Sequence, residues 1–159
     1  MTHGRTIPLV LALTLCFAAF AWGDEMHPAG QNPAQMKFTK FPNFPSCATG
    51  AVVNGDPAKG PSIILAKMTA GCTIPWHWHT PAEHLMMVSG TARLGMKDGK
   101  PFTLRTGGFS MLPSHHVHDF HAVTACTMYV YSDAPFDIHY VNAAGNEIPF
   151  DEAVPAKKH

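Results

Sequence analysis

Between Cys47 and Phe150 the apolar residues fall in short, evenly spaced runs separated by turn signals, and no stretch carries an amphipathic helical period of useful length. Ser62 to Met68 is apolar and β-branched, and Leu85 to Val88 is a second such run, closed by Ser89-Gly90. Thr91 to Met96 and Phe102 to Leu104 flank Lys97-Asp98-Gly99-Lys100, whose central aspartate-glycine predicts a hairpin turn. Phe109 to Leu112, Val117 to Val123, Thr127 to Tyr131 and Ile138 to Val141 complete the set. Many short strands with regular spacing predict an all-β sandwich or barrel.

The two ends read differently. Residues 1–23 pair a basic Arg5 with an apolar run from Ile7 to Phe20, followed by small residues at Ala19, Ala21 and Gly23, the pattern of a secretory signal peptide. Leu15 stands before Cys16 where a lipid-anchored precursor needs a small residue, which argues against a membrane anchor. Residues 24–45 are punctuated by Pro28, Pro33, Pro42 and Pro45 and predict an extended arm. Its Phe38, Phe41 and Phe44 are spaced to dock on the barrel or on a neighbour. Residues 46–152 form the single domain and 153–159 a tail.

Charge and cysteine content narrow the setting. Eleven basic and eleven acidic residues cancel without a run of either sign, so nothing marks a nucleic-acid partner. Of the four cysteines Cys16 leaves with the signal. Cys47, Cys72 and Cys126 remain for a secreted or periplasmic location, which allows one disulfide, in any of three pairings, and one free thiol.

The chemistry concentrates in Gly71-Cys-Thr-Ile-Pro-Trp-His77-Trp-His79-Thr-Pro-Ala-Glu83-His-Leu-Met-Met-Val-Ser-Gly90. On a strand, His77 and His79 point to one face. Glu83 follows a Thr-Pro turn that can return its carboxylate to the same point. Two imidazoles and a carboxylate suit a divalent transition metal.

These residues resemble the first motif of the cupin superfamily, G-x5-H-x-H-x3-4-E-x6-G, at every fixed position. The second motif, G-x5-P-x-G-x2-H-x3-N, is matched at Gly107, Pro113 and His118, with His115 in place of a glycine and Ala122 in place of the asparagine. The resemblance implies a single-domain cupin jelly-roll barrel binding one metal ion per chain through His77, His79, Glu83 and His118. Copper, iron or manganese would serve redox chemistry, and zinc a non-redox role. Three-His, one-Glu sites in that superfamily occur in dioxygenases, oxalate-degrading enzymes, isomerases and lyases, and in proteins without known activity.

Strand parity adds orientations. Trp76 and Trp78 face away from the two histidines and call for cover by the arm or by a homodimer partner, or else form a stacking platform for a sugar. Glu83, Leu85, Met87 and Ser89 share a face. So do His116, His118 and Phe120, which places His116 in the cavity as a catalytic donor or proton relay beside Glu83, or as a packed core histidine. Met87, Met111, Phe109 and Phe120 are expected as apolar lining. The leading expectation is a secreted, mononuclear metal-dependent oxidoreductase of dioxygenase or oxidase type, using dioxygen or peroxide on a small aromatic or carbohydrate substrate. A metal-dependent lyase or isomerase is one alternative, and a non-catalytic metal- or ligand-binding protein of the envelope is another.

Overall fold

A computed structural model of the chain describes Met1 and residues 30–155. The signal segment, the first residues of the arm and the end of the tail lie outside the described residues. Among the described residues eleven strands follow one another: β1 (Ala48–Gly55), β2 (Ser62–Met68), β3 (Thr73–Trp78), β4 (Glu83–Ser89), β5 (Thr91–Met96), β6 (Phe102–Arg105), β7 (Phe109–Leu112), β8 (His118–Ala122), β9 (Cys126–Ser132), β10 (His139–Val141) and β11 (Glu147–Ile148). A single helical turn, α1 (Phe150–Ala153), closes the domain. All pairings are antiparallel. One sheet has the order β1-β2-β9-β4-β7 and the other β11-β10-β3-β8-β5-β6. This is the two-sheet jelly roll that the spacing of strands predicts.

Alternation builds the core. β9 reads buried at every second residue from Cys126 to Ser132, and β8 does the same from His118 to Ala122. The inward residues Leu85, Leu94, Leu104, Leu112, Phe120 and Met128 meet between the sheets, and their removal from water is the main stabilising term. One expected orientation is reversed. Phe109 and Met111 of β7 are 58% and 51% exposed, while their neighbours Ser110 and Leu112 are buried. Ser110 pairs with Leu85 of β4. Met87 is buried in the core, and Phe120 lines the cavity as expected.

The arm docks on its own domain. Thr39 and Gly50 exchange N–H···O bonds of 2.9 Å in both directions. Phe41 and Phe44 pack on the core, and Lys67 Nζ sits 3.8 Å over the ring of Phe38. A disulfide joins Cys47, where the arm enters β1, to Cys72, where the chain enters β3; Cys126 is a buried free thiol. Closing 25 residues of chain should stabilise the domain by about 3 kcal/mol through loss of freedom in the unfolded chain. Replacing both cysteines by alanine should therefore lower the melting temperature by about 10 °C, read by calorimetry. An unchanged melting temperature would show that the cross-link constrains nothing.

Candidate metal centre

The site is assembled by one irregularity and one turn. Pro75 cannot donate to a neighbouring strand, and the β3–β8 register shifts between Ile74 and His77 to accommodate it. The displaced Pro75 carbonyl then accepts a 2.6 Å hydrogen bond from His77 Nδ1. Beyond the shift His77 pairs directly with His118 of β8 on one side and with Tyr140 of β10 on the other. After β3 the turn through Thr80 crosses to the opposite sheet, where Glu83 opens β4. Asp137 clamps that turn, accepting from the Thr80 N–H at 2.7 Å and from its hydroxyl at 2.5 Å.

The structure thus brings the four sequence-predicted residues together. His77, His79, Glu83 and His118 are all buried, and nitrogen atoms of the three imidazoles lie within 4.8 Å of one another. Glu83 faces His118 Nε2 at 3.4 Å and His79 Nε2 at 3.7 Å.

Each ring is fixed from behind by a main-chain carbonyl: Pro75 for His77, Asp137 for His79 at 2.5 Å, and His116 for His118 at 2.8 Å. A carbonyl only accepts, so each Nδ1 carries hydrogen and a neutral ring presents the lone pair of Nε2 to the cluster. His79 Nε2 is buried without any hydrogen-bond partner. A buried orphan acceptor is costly unless something electron-poor meets it. The donor set therefore fits a divalent transition metal. Three imidazole nitrogens and a carboxylate oxygen converge, each imidazole already held in the ligating tautomer by an outer partner.

Electrostatics agree. Burial drives His77 well below its ordinary pKa, reinforced by the imidazoles of His118 and His79. Burial also lowers His79, against the pull of Glu83. For Glu83, burial pushes the carboxyl up, but His79 and then His118 outweigh it and hold the group ionised below its usual range. His118 is the exception: burial lowers it, yet the hydrogen bond and charge of Glu83 prevail and raise it.

His116 does not belong to this cluster. Its N–H closes a turn onto Pro113 O at 3.0 Å, and β8 begins only at His118. Strand parity therefore does not extend back to it, and its side chain is not among those lining the cavity. What His116 contributes is the carbonyl that orients His118.

The motif departures are explained locally. His115, at a glycine position of the second motif, has φ of 59°, the left-handed backbone that costs a non-glycine residue about 1–3 kcal/mol. Its N–H donates to His79 O at 2.9 Å, Ser114 Oγ lies 2.7 Å from its Nδ1, and its ring stacks on Trp78 at 4.6 Å. At Ala122, in the asparagine position, backbone bonds to Gly71 and Cys72 of 2.8 Å each secure the strand end. Trp78 is half-buried within its own chain, stacked between His115 and His139, the latter parallel to it at 3.9 Å. Trp76 is 37% exposed.

Sequence reasoning missed the segment before β10. Phe136 stacks on His79 at 4.4 Å, and Asp137 holds both His79 and Thr80. Asp137 reaches His79 through its carbonyl, which leaves no trace in residue type. The phenylalanine before it was the only available signal.

His77, His79, Glu83 and His118 line a cavity of about 420 Å³ that is otherwise bordered mainly by apolar side chains. The family model described as "Cupin domain" matches residues 64–132, which span both histidine-bearing segments. Residues 64–132 are a cupin domain. Solved structures agree on the fold. The polyketide cyclase RemF from Streptomyces resistomycificus superposes with a TM-score of 0.63 at 16% identity, covering 81% of this chain and 95% of that one. An RmlC-like cupin protein from Ralstonia eutropha JMP134 gives 0.61 at 17% identity, covering 78% of each chain. The DMSP lyase DddQ from Ruegeria pomeroyi DSS-3 gives 0.54 at 19%, covering 63% of this chain and 57% of that one. The chain spans only about a quarter of the length of the salicylate 1,2-dioxygenase chains from Pseudoaminobacter salicylatoxidans that it also matches. No curated protein matches the sequence.

Proposed function

We propose that this cupin is a secreted, mononuclear metal-dependent oxidoreductase that uses dioxygen or peroxide on a small organic substrate held in the cavity. The observation that carries the reading is the convergence of three pre-oriented imidazoles and one ionised carboxylate lining a mainly apolar cavity. His77, His79, Glu83 and His118 would hold one divalent transition ion, with copper, iron or manganese suited to the redox role. Such an ion, when bound, supplies a redox centre or a Lewis acid beside the substrate.

The protein's own part is positioning and proton management. The three carbonyls behind the imidazoles hold the rings, the apolar walls exclude water, and Glu83 is the carboxylate within reach of the imidazole cluster. Its oxygens lie close to two Nε2 atoms, so it can take a proton as charge in the site changes. Asp137 and His139 also border the cavity, but they face each other at 3.3 Å, with Glu147 3.5 Å from the other side of the His139 ring. The Cys47–Cys72 disulfide supports the secreted location, since such bonds persist in oxidising compartments.

The test is elemental analysis of the mature protein from its native compartment, followed by spectroscopy through a cycle of reduction and reoxidation with dioxygen or peroxide. About one redox-active ion per chain, changing signal with oxidant consumed, is the expected result. A redox-silent native ion such as zinc would sink the oxidoreductase reading and favour a lyase or isomerase. Metal retained without any reaction would favour a binding protein.

A further inference from the structure

The walls of the cavity say what enters it. Among the described residues that line it, none is lysine or arginine, and the ionisable ones beyond the three cluster imidazoles are Glu83, Asp137 and His139. An anionic molecule would meet two carboxylates and no fixed cation. Burying a charge without a partner is strongly unfavourable, and a bound divalent ion facing Glu83 would leave at most one further negative charge to neutralise. A sugar fares poorly for a different reason. Each of its hydroxyls needs a partner when buried, and beyond the cluster only Asn43, Thr49, Asp137 and His139 among the lining side chains are polar, against apolar walls such as Ile64, Leu85, Phe120 and Val130. At about 420 Å³ the space is at the small end of ligand cavities, roughly 300–1,000 Å³.

The roof comes from the arm. Phe41 and Phe44 both line the cavity, as an edge-to-face pair with ring centroids 6.3 Å apart. They are held there by several ties. Thr39 pairs with Gly50, the Tyr140 hydroxyl donates to Asn43 O at 2.8 Å, and the disulfide anchors Cys47. Gly50 is required beneath the roof: a Cβ there would lie 2.3 Å from the Phe41 ring. Across the cavity Phe136 already lies against His79, so aromatic surface flanks the metal cluster.

We infer that the cavity takes an uncharged, mostly hydrocarbon molecule, aromatic in its bulk, that presents a single hydroxyl or carbonyl to the metal cluster, and that Phe41 of the arm determines its affinity. This rests on the oxidoreductase reading only for the direction the oxygen faces. The apolar walls and the roof favour hydrocarbon bulk whether or not a metal is bound, while the bias against an anion belongs to the metal-free cavity, where two carboxylates and no fixed cation face it.

The experiment therefore uses the mature protein after chelation, with 2-naphthol and 2-naphthoate as fluorescent probes of the same ring, and metal content measured separately. At pH 7 naphthol should bind at least about tenfold more tightly than naphthoate, and excess methyl glucoside should not displace it. Phe41→Ala should weaken naphthol binding by about fivefold or more, consistent with the loss of a buried aromatic contact. Phe38→Ala, on the same arm but outside the cavity, should leave it unchanged. If Phe41→Ala does not fold, Gly50→Ala supplies the same test by pushing the ring from its seat. Equal or tighter binding of naphthoate, displacement by the glucoside, or unchanged naphthol affinity in both roof variants would overturn the inference. None of those outcomes touches the metal reading, which fails only on metal stoichiometry and redox response.

Discussion

Replacing His77 and His79 together by alanine will take the protein from about one bound transition ion per chain to background by elemental analysis. Two of three converging imidazoles are lost, and the remaining pair, His118 and Glu83, already satisfy each other at 3.4 Å. A matched variant separates ligation from proximity. His116→Ala keeps the backbone carbonyl that orients His118, so it should retain metal within about twofold. His118→Ala should not. Circular dichroism of each variant shows whether the sheets persist. A folded double variant with a full ion per chain would mean the donor set has been misassigned. Metal loss in His116→Ala with retention in His118→Ala would restore the side-chain role that strand parity predicts and the turn at Pro113 removes.

That contrast marks where reading the chain works and where it fails. β2, β5 and β7 are legible to the residue, because alternation or a continuous β-branched run is bounded on both sides by turn signals. Three residues of the cluster are legible because His77 and His79 stand two apart and a turn leads to Glu83, and the resemblance to the cupin motifs adds His118. β1 is not legible. Its Ala-Thr-Gly start carries no β-branched run or alternation, and the glycine is small because Phe41 lies on it, a demand made by a residue nine positions away. The facing of β7 is misread because size suggests burial, whereas the strand turns Ser110 and Leu112 inward and leaves Phe109 and Met111 outside. Backbone-mediated contacts are the deepest blind spot. The carbonyls of Pro75, Asp137 and His116 set all three imidazoles, and only the proline carries any mark in the sequence.

The same carbonyls shape the response to acid. Metal affinity should fall about tenfold for each pH unit below the pKa of His118, which corresponds to one proton displaced per ion bound. Glu83 raises His118 above its usual 6.5, while burial keeps His77 and His79 neutral below theirs. In the metal-free protein a proton is thus shared between His118 and Glu83 at a pH where a free imidazole would have released it, and an incoming cation must expel it. Chelator competition from pH 5 to 8 measures the slope. A slope of two protons just below pH 6.5 would show that His77 or His79 also charges, against the burial argument. Glu83→Gln removes the charge that retains the proton, so the onset should move to lower pH even as affinity drops. Stability of the metal-free fold follows with the opposite balance of signs. His118, raised, stabilises most below 6.5 and loses that contribution as pH climbs through its folded value. His77 and His79, lowered, contribute fully above 6.5 and lose it as pH falls, and Glu83, lowered from 4.5, follows at still lower pH. Below pH 6.5 His118 adds nothing further while His77 and His79 lose their contribution, so the metal-free domain should melt at progressively lower temperature there. Bound metal, by requiring all three rings neutral at Nε2, should steepen that loss rather than relieve it.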